Sequence, residues 1–181
     1  MIVQKMTAEA FDTFTELPEN ADKLFEFIGG EVVEVPSNPY ASKISIDFTV
    51  PIAVFVKQHD LGFVTGEAGG YQVFGERYAP DVAFISKTKQ PELAQRGYNP
   101  NPPDLAVEVD FPSTYETQRD LRIKTGNYLA AGTVVWIVYP ESKTVEVYAP
   151  SQKVQIIGSD GVLDGGDVLP GFTLALKEIF G

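Results

Sequence analysis

Two acidic residues interrupt stretches of this chain that otherwise read as buried strands. Asp81 follows Pro80 and opens Asp81-Val82-Ala83-Phe84-Ile85, and Glu108 is the only charge within Leu105-Ala106-Val107-Glu108-Val109. An ionised carboxylate in an apolar setting is costly unless it is paired or holds a cation. Two-residue alternation places Glu108 and Asp110 on one face of their strand and Val107 and Val109 on the other. Beyond them, Asp120, Lys124, Tyr128 and Gly132 recur every fourth residue, the spacing that stacks side chains on one helix face. Taken alone, Asp120 and Lys124 read as an exposed ion pair contributing about 0.3–0.5 kcal/mol, and each acid as a solvated strand end or the partner of an Arg or Lys. The order of elements changes that weight, because a helix directly after the Glu108 strand can return Lys124 toward the acids. Two carboxylates and a lysine are the kit for metal-assisted phosphodiester hydrolysis. The carboxylates offer hard oxygen ligands to Mg²⁺, which polarises a phosphoryl oxygen and prepares a water. The lysine orients that water or offsets charge developing on phosphorus.

The elements that must position these groups follow from pattern. Thr7 reads as an N-cap with Glu9 in the first turn of a helix that carries Phe11 and Phe14 and stops before Pro18. Leu24 to Val35 reads as a hairpin turning at Gly29-Gly30, and Pro36-Ser37-Asn38-Pro39 as a loop. Residues from Ala41 to Gln58 carry Ile44, Phe48, Ile52, Phe55 and Val56 at helical spacing, with Pro51 expected to kink or split the helix. Leu61-Gly62-Phe63 opens a strand-rich stretch through Tyr71–Phe74, and a tight turn near Gly75 leads into the Asp81 strand. Residues 87–103 are polar and proline-rich, a helix or loop around Pro91 to Gly97. After the Glu108 strand comes a helix from Thr117 to Ala131, capped by Gly132. The strand Val134–Tyr139 follows, then an antiparallel pair at Thr144–Tyr148 and Lys153–Ile157, and a last helical turn at Leu176–Phe180. His59 reads as a solvated helix end and Trp136 as core.

Composition narrows the chemistry. The length of 181 residues suits one domain over 1–181. Zero cysteines exclude disulfides, a cysteine nucleophile and thiolate metal sites, and a single histidine argues against a serine–histidine triad or a multi-histidine metal site. No apolar run approaches the roughly 18 residues of a membrane helix, and the first residues lack signal-peptide chemistry, so a cytoplasmic, membrane-free protein is expected. The formal charge of −11 argues against a general electrostatic grip on nucleic acid. A local basic cleft would have to come from Lys43, Lys57, Arg77, Lys87, Lys89, Arg96, Arg119 and Arg122.

Pro80-Asp81, Val107-Glu108-Val109, Pro112-Ser113-Thr114 and the row Asp120, Lys124, Tyr128, Gly132, Trp136 together resemble the Uma-two family of restriction endonuclease-like proteins, a branch of the PD-(D/E)XK nuclease superfamily. Met6–Phe11, the hairpin Phe25–Val33 and Leu169-Pro170-Gly171-Phe172 fit the same pattern, so the resemblance spans about residues 6–180. It implies an α/β (α+β) fold, a restriction-endonuclease-like mixed sheet flanked by helices. It implies Asp81 and Glu108 as metal ligands and Lys124 as the catalytic lysine. The superfamily lysine normally sits two residues after the acid, where this chain has Asp110. Glu26 falls on a first-strand glutamate, an auxiliary metal ligand or a structural residue, and Glu31 on a recurrent hairpin acid. The implied cofactor is Mg²⁺, with Mn²⁺ as substitute; the implied partners are DNA and a second copy in a homodimer. The chain departs from the pattern at Ser42, where a histidine is common, at Asp110-Phe111, and at Tyr139, where an aspartate is usual. Asp110 either enlarges the metal-binding set or repels phosphate.

The leading expectation is therefore a Mg²⁺-dependent DNA endonuclease. The alternative is a catalytically impaired protein that keeps the nuclease fold as a binding or assembly module. A carbohydrate or small-molecule hydrolase working with paired acids ranks last, because it leaves Lys124 without a role.

Overall fold

β-branched and aromatic runs dominate the middle of the chain. In the computed structural model, which describes residues 6–20, 22–35, 38–111 and 114–181, they form three sheets. The expected Pro36-Ser37 loop and the Pro112-Ser113 part of the family pattern lie outside the described residues, as does the N-terminal stretch 1–5. Thr7 Oγ1 accepts from Ala10 N at 3.2 Å and caps α1 (Ala8–Thr15), which buries Phe11. The glycine hairpin joins β1 (Phe25–Ile28) to β2 (Glu31–Glu34). Asn38 then caps α2 (Pro39–Gln58).

Pro51 does not split α2. Ile44, Phe48, Ile52 and Val56 are all buried on one stripe, so packing on both sides of the proline holds the two halves to the sheet. His59 caps the helix, as expected. β3 (Gly62–Gly66), β4 (Tyr71–Val73) and β5 (Glu76–Tyr78) follow. β5 stands where a turn running directly into the Asp81 strand was expected. Phe74 and Gly75, at φ 49° and 87°, make the two-residue turn that folds β5 back on β4. Beyond β6 (Val82–Ser86), residues 87–103 contain no helix; the segment is pinned by the buried pair Gln90–Asn99, whose amides bond at 2.9 Å.

β7 (Leu105–Val109) leads through α3 (Tyr115–Ala130) to β8 (Val134–Tyr139), and β7 and β8 pair in parallel with α3 as the crossover. β9 (Thr144–Tyr148), β10 (Gln155–Gly158), the small pair β11 (Val162–Asp164) and β12 (Thr173–Ala175), and α4 (Lys177–Phe180) complete the chain. The large sheet has the order β10-β9-β8-β7-β6-β3, and the smaller one β2-β1-β5-β4. Alternation along the large sheet separates two cores. Val82, Phe84, Val107, Trp136 and Val138 pack against α2, whereas Ala83, Ile85, Ala106, Val135 and Ile137 face Tyr128 of α3 and Tyr71, Val73 and Tyr78 of the smaller sheet. Trp136 is 1% exposed and stacks on Phe172. Among the described residues, no helix is long and apolar enough to cross a membrane.

β3 approaches β6 so closely that a Cβ on Gly62 would lie 2.1 Å from the Ile85 carbonyl oxygen, while one on Gly66 would meet nothing within 4 Å. Gly62→Ala is expected to cost about 2 kcal/mol or more, and Gly66→Ala well under half of that, in urea denaturation.

Candidate active site

The antiparallel register of β6 and β7 sets Val82 opposite Val107. One step further out, Asp81 and Glu108 come side by side at the same end of two neighbouring strands. Alternation sends both toward α3, on the side of Ala83 and Ala106. Asp81 Oδ2 accepts from Val109 N at 2.7 Å, which fastens its carboxylate against the end of β7. The chain reaches Asp81 from the smaller sheet through Ala79-Pro80, and there Glu26 of β1 enters: its Oε1 accepts from Ala79 N at 2.7 Å. The acids therefore gather at the seam between the two sheets.

α3 delivers the cation. Thr114 caps its start by accepting from Thr117 N, and the helix carries Lys124 back over the strand end it has just left. Lys124 Nζ donates to Glu108 Oε2 and to Glu26 Oε1, both at 2.8 Å, and all three side chains are nearly inaccessible. Asp120 pairs with Arg119 instead, so the Asp120–Lys124 surface pair does not form. One turn further, Tyr128 donates its hydroxyl to Glu108 Oε1 at 3.1 Å. Tyr78 crosses Tyr128 edge to face at 5.3 Å and also lies under the ammonium, whose nitrogen is 5.7 Å from its ring centre. Tyr78 donates to Glu76 and receives Asn127 Nδ2 at 2.6 Å.

Burial pushes the Glu108 carboxyl up to about 8, against the opposing pull of Lys124 and with help from Glu26 and Asp81. Burial also raises Asp81, partly offset by the Val109 amide and Lys124. For Lys124 burial acts downward, but Glu108 and Glu26 outweigh it and hold the ammonium charged well above its ordinary range. Asp110 is half-buried and also raised by desolvation, with Lys124 pulling it down. Its backbone N–H bonds Val138 O at 2.8 Å, just past the end of β7.

The structure thus brings Glu26, Asp81, Glu108 and Lys124 together, and it sets Asp110 at the edge of the group. Glu31 stays at the hairpin, paired with Arg119. Tyr78, Glu76 and Asn127, which brace the site from behind, had no sequence signal beyond the nearness of Tyr78 to Pro80-Asp81. Tyr128 belongs to the four-residue row, but spacing alone does not show its bond to Glu108. Five of the eight candidate cleft bases, Lys43, Arg77, Lys87, Lys89 and Arg119, each pair with an acid.

The Uma2 family model, described as "Putative restriction endonuclease", matches residues 11–177. The chain belongs to the Uma2 family. A crystal structure from Anabaena variabilis, described as "a putative nuclease belonging to DUF820", superposes with a TM-score of 0.79 over 97% of each chain at 21% identity, a likeness of fold. No curated protein matches the chain.

Within this Uma2 fold the donor set suits a hard divalent cation. It is all oxygen: Glu26 and Glu108 share the one ammonium and Asp81, held by the Val109 amide, stands beside them, a surplus of negative charge that calls for protons or a cation. Mg²⁺ is typically held by one or two carboxylates plus water and substrate phosphate. That is the number offered by Asp81 and Glu108. Among the described residues, no group of three or more His, Cys, Asp or Glu side chains is placed to hold a metal ion.

Glu108 titrates near 8 in the fold and near 4.5 when unfolded, so between those values the folded state binds the extra proton. In chelator, stability should fall as pH rises from about 5 to 8, with a slope approaching about 1.4 kcal/mol per pH unit. Urea midpoints across that range, with Glu108→Gln flattening the dependence, check this.

Proposed function

We propose that the chain is a metal-dependent DNA endonuclease that hydrolyses phosphodiester bonds with Asp81, Glu108 and Lys124. The observation that carries this reading is the return of Lys124 from α3 to within 2.8 Å of Glu108, beside Asp81, at the shared end of β6 and β7. Asp81 and Glu108 would hold Mg²⁺, or Mn²⁺ in its place. When bound, the cation supplies polarisation of the phosphoryl oxygen and a more acidic water.

The protein's own groups divide the remaining work. Lys124 stays charged, so it donates and does not accept a proton. Two of its three N–H bonds go to Glu26 and Glu108, and the third is left for the attacking water or a phosphoryl oxygen. Glu26 positions Lys124 while itself held by Ala79 N. Tyr128 fixes the rotamer of Glu108 through Oε1, and the Val109 amide fixes that of Asp81. Such preorganised groups are worth about 10²–10³ each in rate.

The alternative, a nuclease-fold protein acting as a binding or assembly module, is favoured by one observation: five of the eight candidate cleft bases are already spent on acids. Calorimetry with Mn²⁺ separates the two. A nuclease gives one site weakened by Asp81→Asn, and a module gives no binding to the folded protein.

With Mg²⁺ or Mn²⁺, purified protein is expected to cleave DNA. Asp81→Asn and Lys124→Arg should each lower the rate at least about 100-fold while circular dichroism stays unchanged. Cleavage persisting in Asp81→Asn would sink the assignment.

A further inference from the structure

A cavity of about 460 Å³ adjoins the catalytic group on the α3 side of the large sheet. Its floor includes Ile137, the residue paired with Glu108 across β7 and β8, and Asp110 stands at its border with the acids. The cavity therefore begins one strand away from Glu108. Its size falls within the roughly 300–1,000 Å³ of small-molecule sites.

Its chemistry is that of a flat, polar-edged ring system. Tyr139 and Tyr148 form a half-buried aromatic wall, and the Tyr148 hydroxyl is anchored on Glu146 Oε2 at 2.7 Å, which fixes that ring in place. On the opposite side the exposed residues Gln118 and Arg122 stand one turn apart on α3 and line the cavity, the Arg122 guanidinium resting 6.0 Å from the ring centre of Tyr115. Amide and guanidinium groups read the edges of nucleobases, and aromatic faces stack on them.

Gly126 completes the row, one turn beyond Arg122. Glycine is a poor residue for the interior of a helix. Nothing in the fold requires it here: its φ is not positive, and an added Cβ would meet no atom within 4 Å. Gly126 lines the cavity, so a large side chain there would narrow it.

We infer that this cavity takes an unpaired nucleobase of the DNA whose phosphate lies at Asp81 and Glu108, so that the substrate is single-stranded or bulged DNA and not a fully paired duplex. The inference rests on the nuclease reading above. A base inside a duplex is stacked and cannot enter such a pocket without being extruded, and extrusion costs least where the base is already unpaired.

Fluorescence anisotropy in Ca²⁺ buffer, with a labelled oligonucleotide as a single strand, as a blunt duplex and as a duplex with a one-base bulge, tests it. The wild-type protein is expected to bind the single strand and the bulge about ten-fold or more tightly than the blunt duplex. Gly126→Leu, which fills the cavity with a good helix former, and Arg122→Ala, at an exposed position, should each remove most of that preference. Gly126→Ala should keep it. Equal binding of paired and unpaired DNA by a wild-type protein that cleaves DNA overturns the base pocket alone. So does a preference that survives both Gly126→Leu and Arg122→Ala. Failure of the wild type to bind or cleave any of the three overturns the nuclease reading and the pocket with it.

Discussion

Lys124 is one ammonium among three carboxylates in a place with almost no water. Removing a charge from water costs several kcal/mol, and the cost is recovered only with a close, well-aligned partner. Glu26 and Glu108 supply that alignment at 2.8 Å each, and they come from different sheets. The ion pair is therefore a constraint on architecture as well as on chemistry. It ties β1 of the smaller sheet and β7 of the larger one to α3 at the seam between the sheets. Tyr128 and the Ala79 amide take remaining lone pairs, so the cluster is hydrogen-bonded on several sides.

On the proposed reading, the same surplus of acid suits the site to a cation. One ammonium cannot balance Glu26, Asp81 and Glu108, and burial responds by raising the proton affinity of Glu108 and Asp81. A divalent ion beside Asp81 and Glu108 would remove the imbalance without requiring either acid to hold a proton. On the proposed reading, the network that positions the lysine also creates the demand for the metal.

Much of this could be read from residue patterns, because the groups concerned lie on regular elements. Alternation along β7 and the four-residue row on α3 are geometric consequences of sequence, and they placed Glu108 and Lys124 in reach of each other. Asp81 was legible through its place before an apolar strand. The smaller sheet was not. β5 is three residues long and its turn uses Phe74 at positive φ, a residue type that gives no turn signal. With β5 went the link that brings Ala79 to Glu26, so Glu26 stayed suspended between ligand and structural residue. Pro51 misled in the other direction: a local rule predicts a break, but the buried stripe from Ile44 to Val56 overrides it. The cavity was illegible for another reason, since its lining comes from α3, β8 and β9 and its signature is the absence of a side chain at Gly126.

The charge of −11 acquires a sharper meaning from the pairing of surface bases. With Lys43, Arg77, Lys87, Lys89 and Arg119 all turned to acids, long-range attraction to phosphate is weak, and an acidic protein that acts on DNA must hold it by other means. Two are built into the proposed site. Asp81 and Glu108 would hold a divalent cation, whose charge would turn local repulsion of phosphate into attraction. Stacking on fixed tyrosine rings needs no positive charge and is available only to bases free of their partners. The cavity begins one strand away from Glu108, so capture and chemistry would fall at neighbouring places. A broad basic surface would instead hold any duplex wherever it touched. On the proposed reading, an acidic exterior around a cation-holding, aromatic-walled site would admit DNA chiefly where an unpaired base can reach the cavity, and the net charge would then work as part of substrate selection.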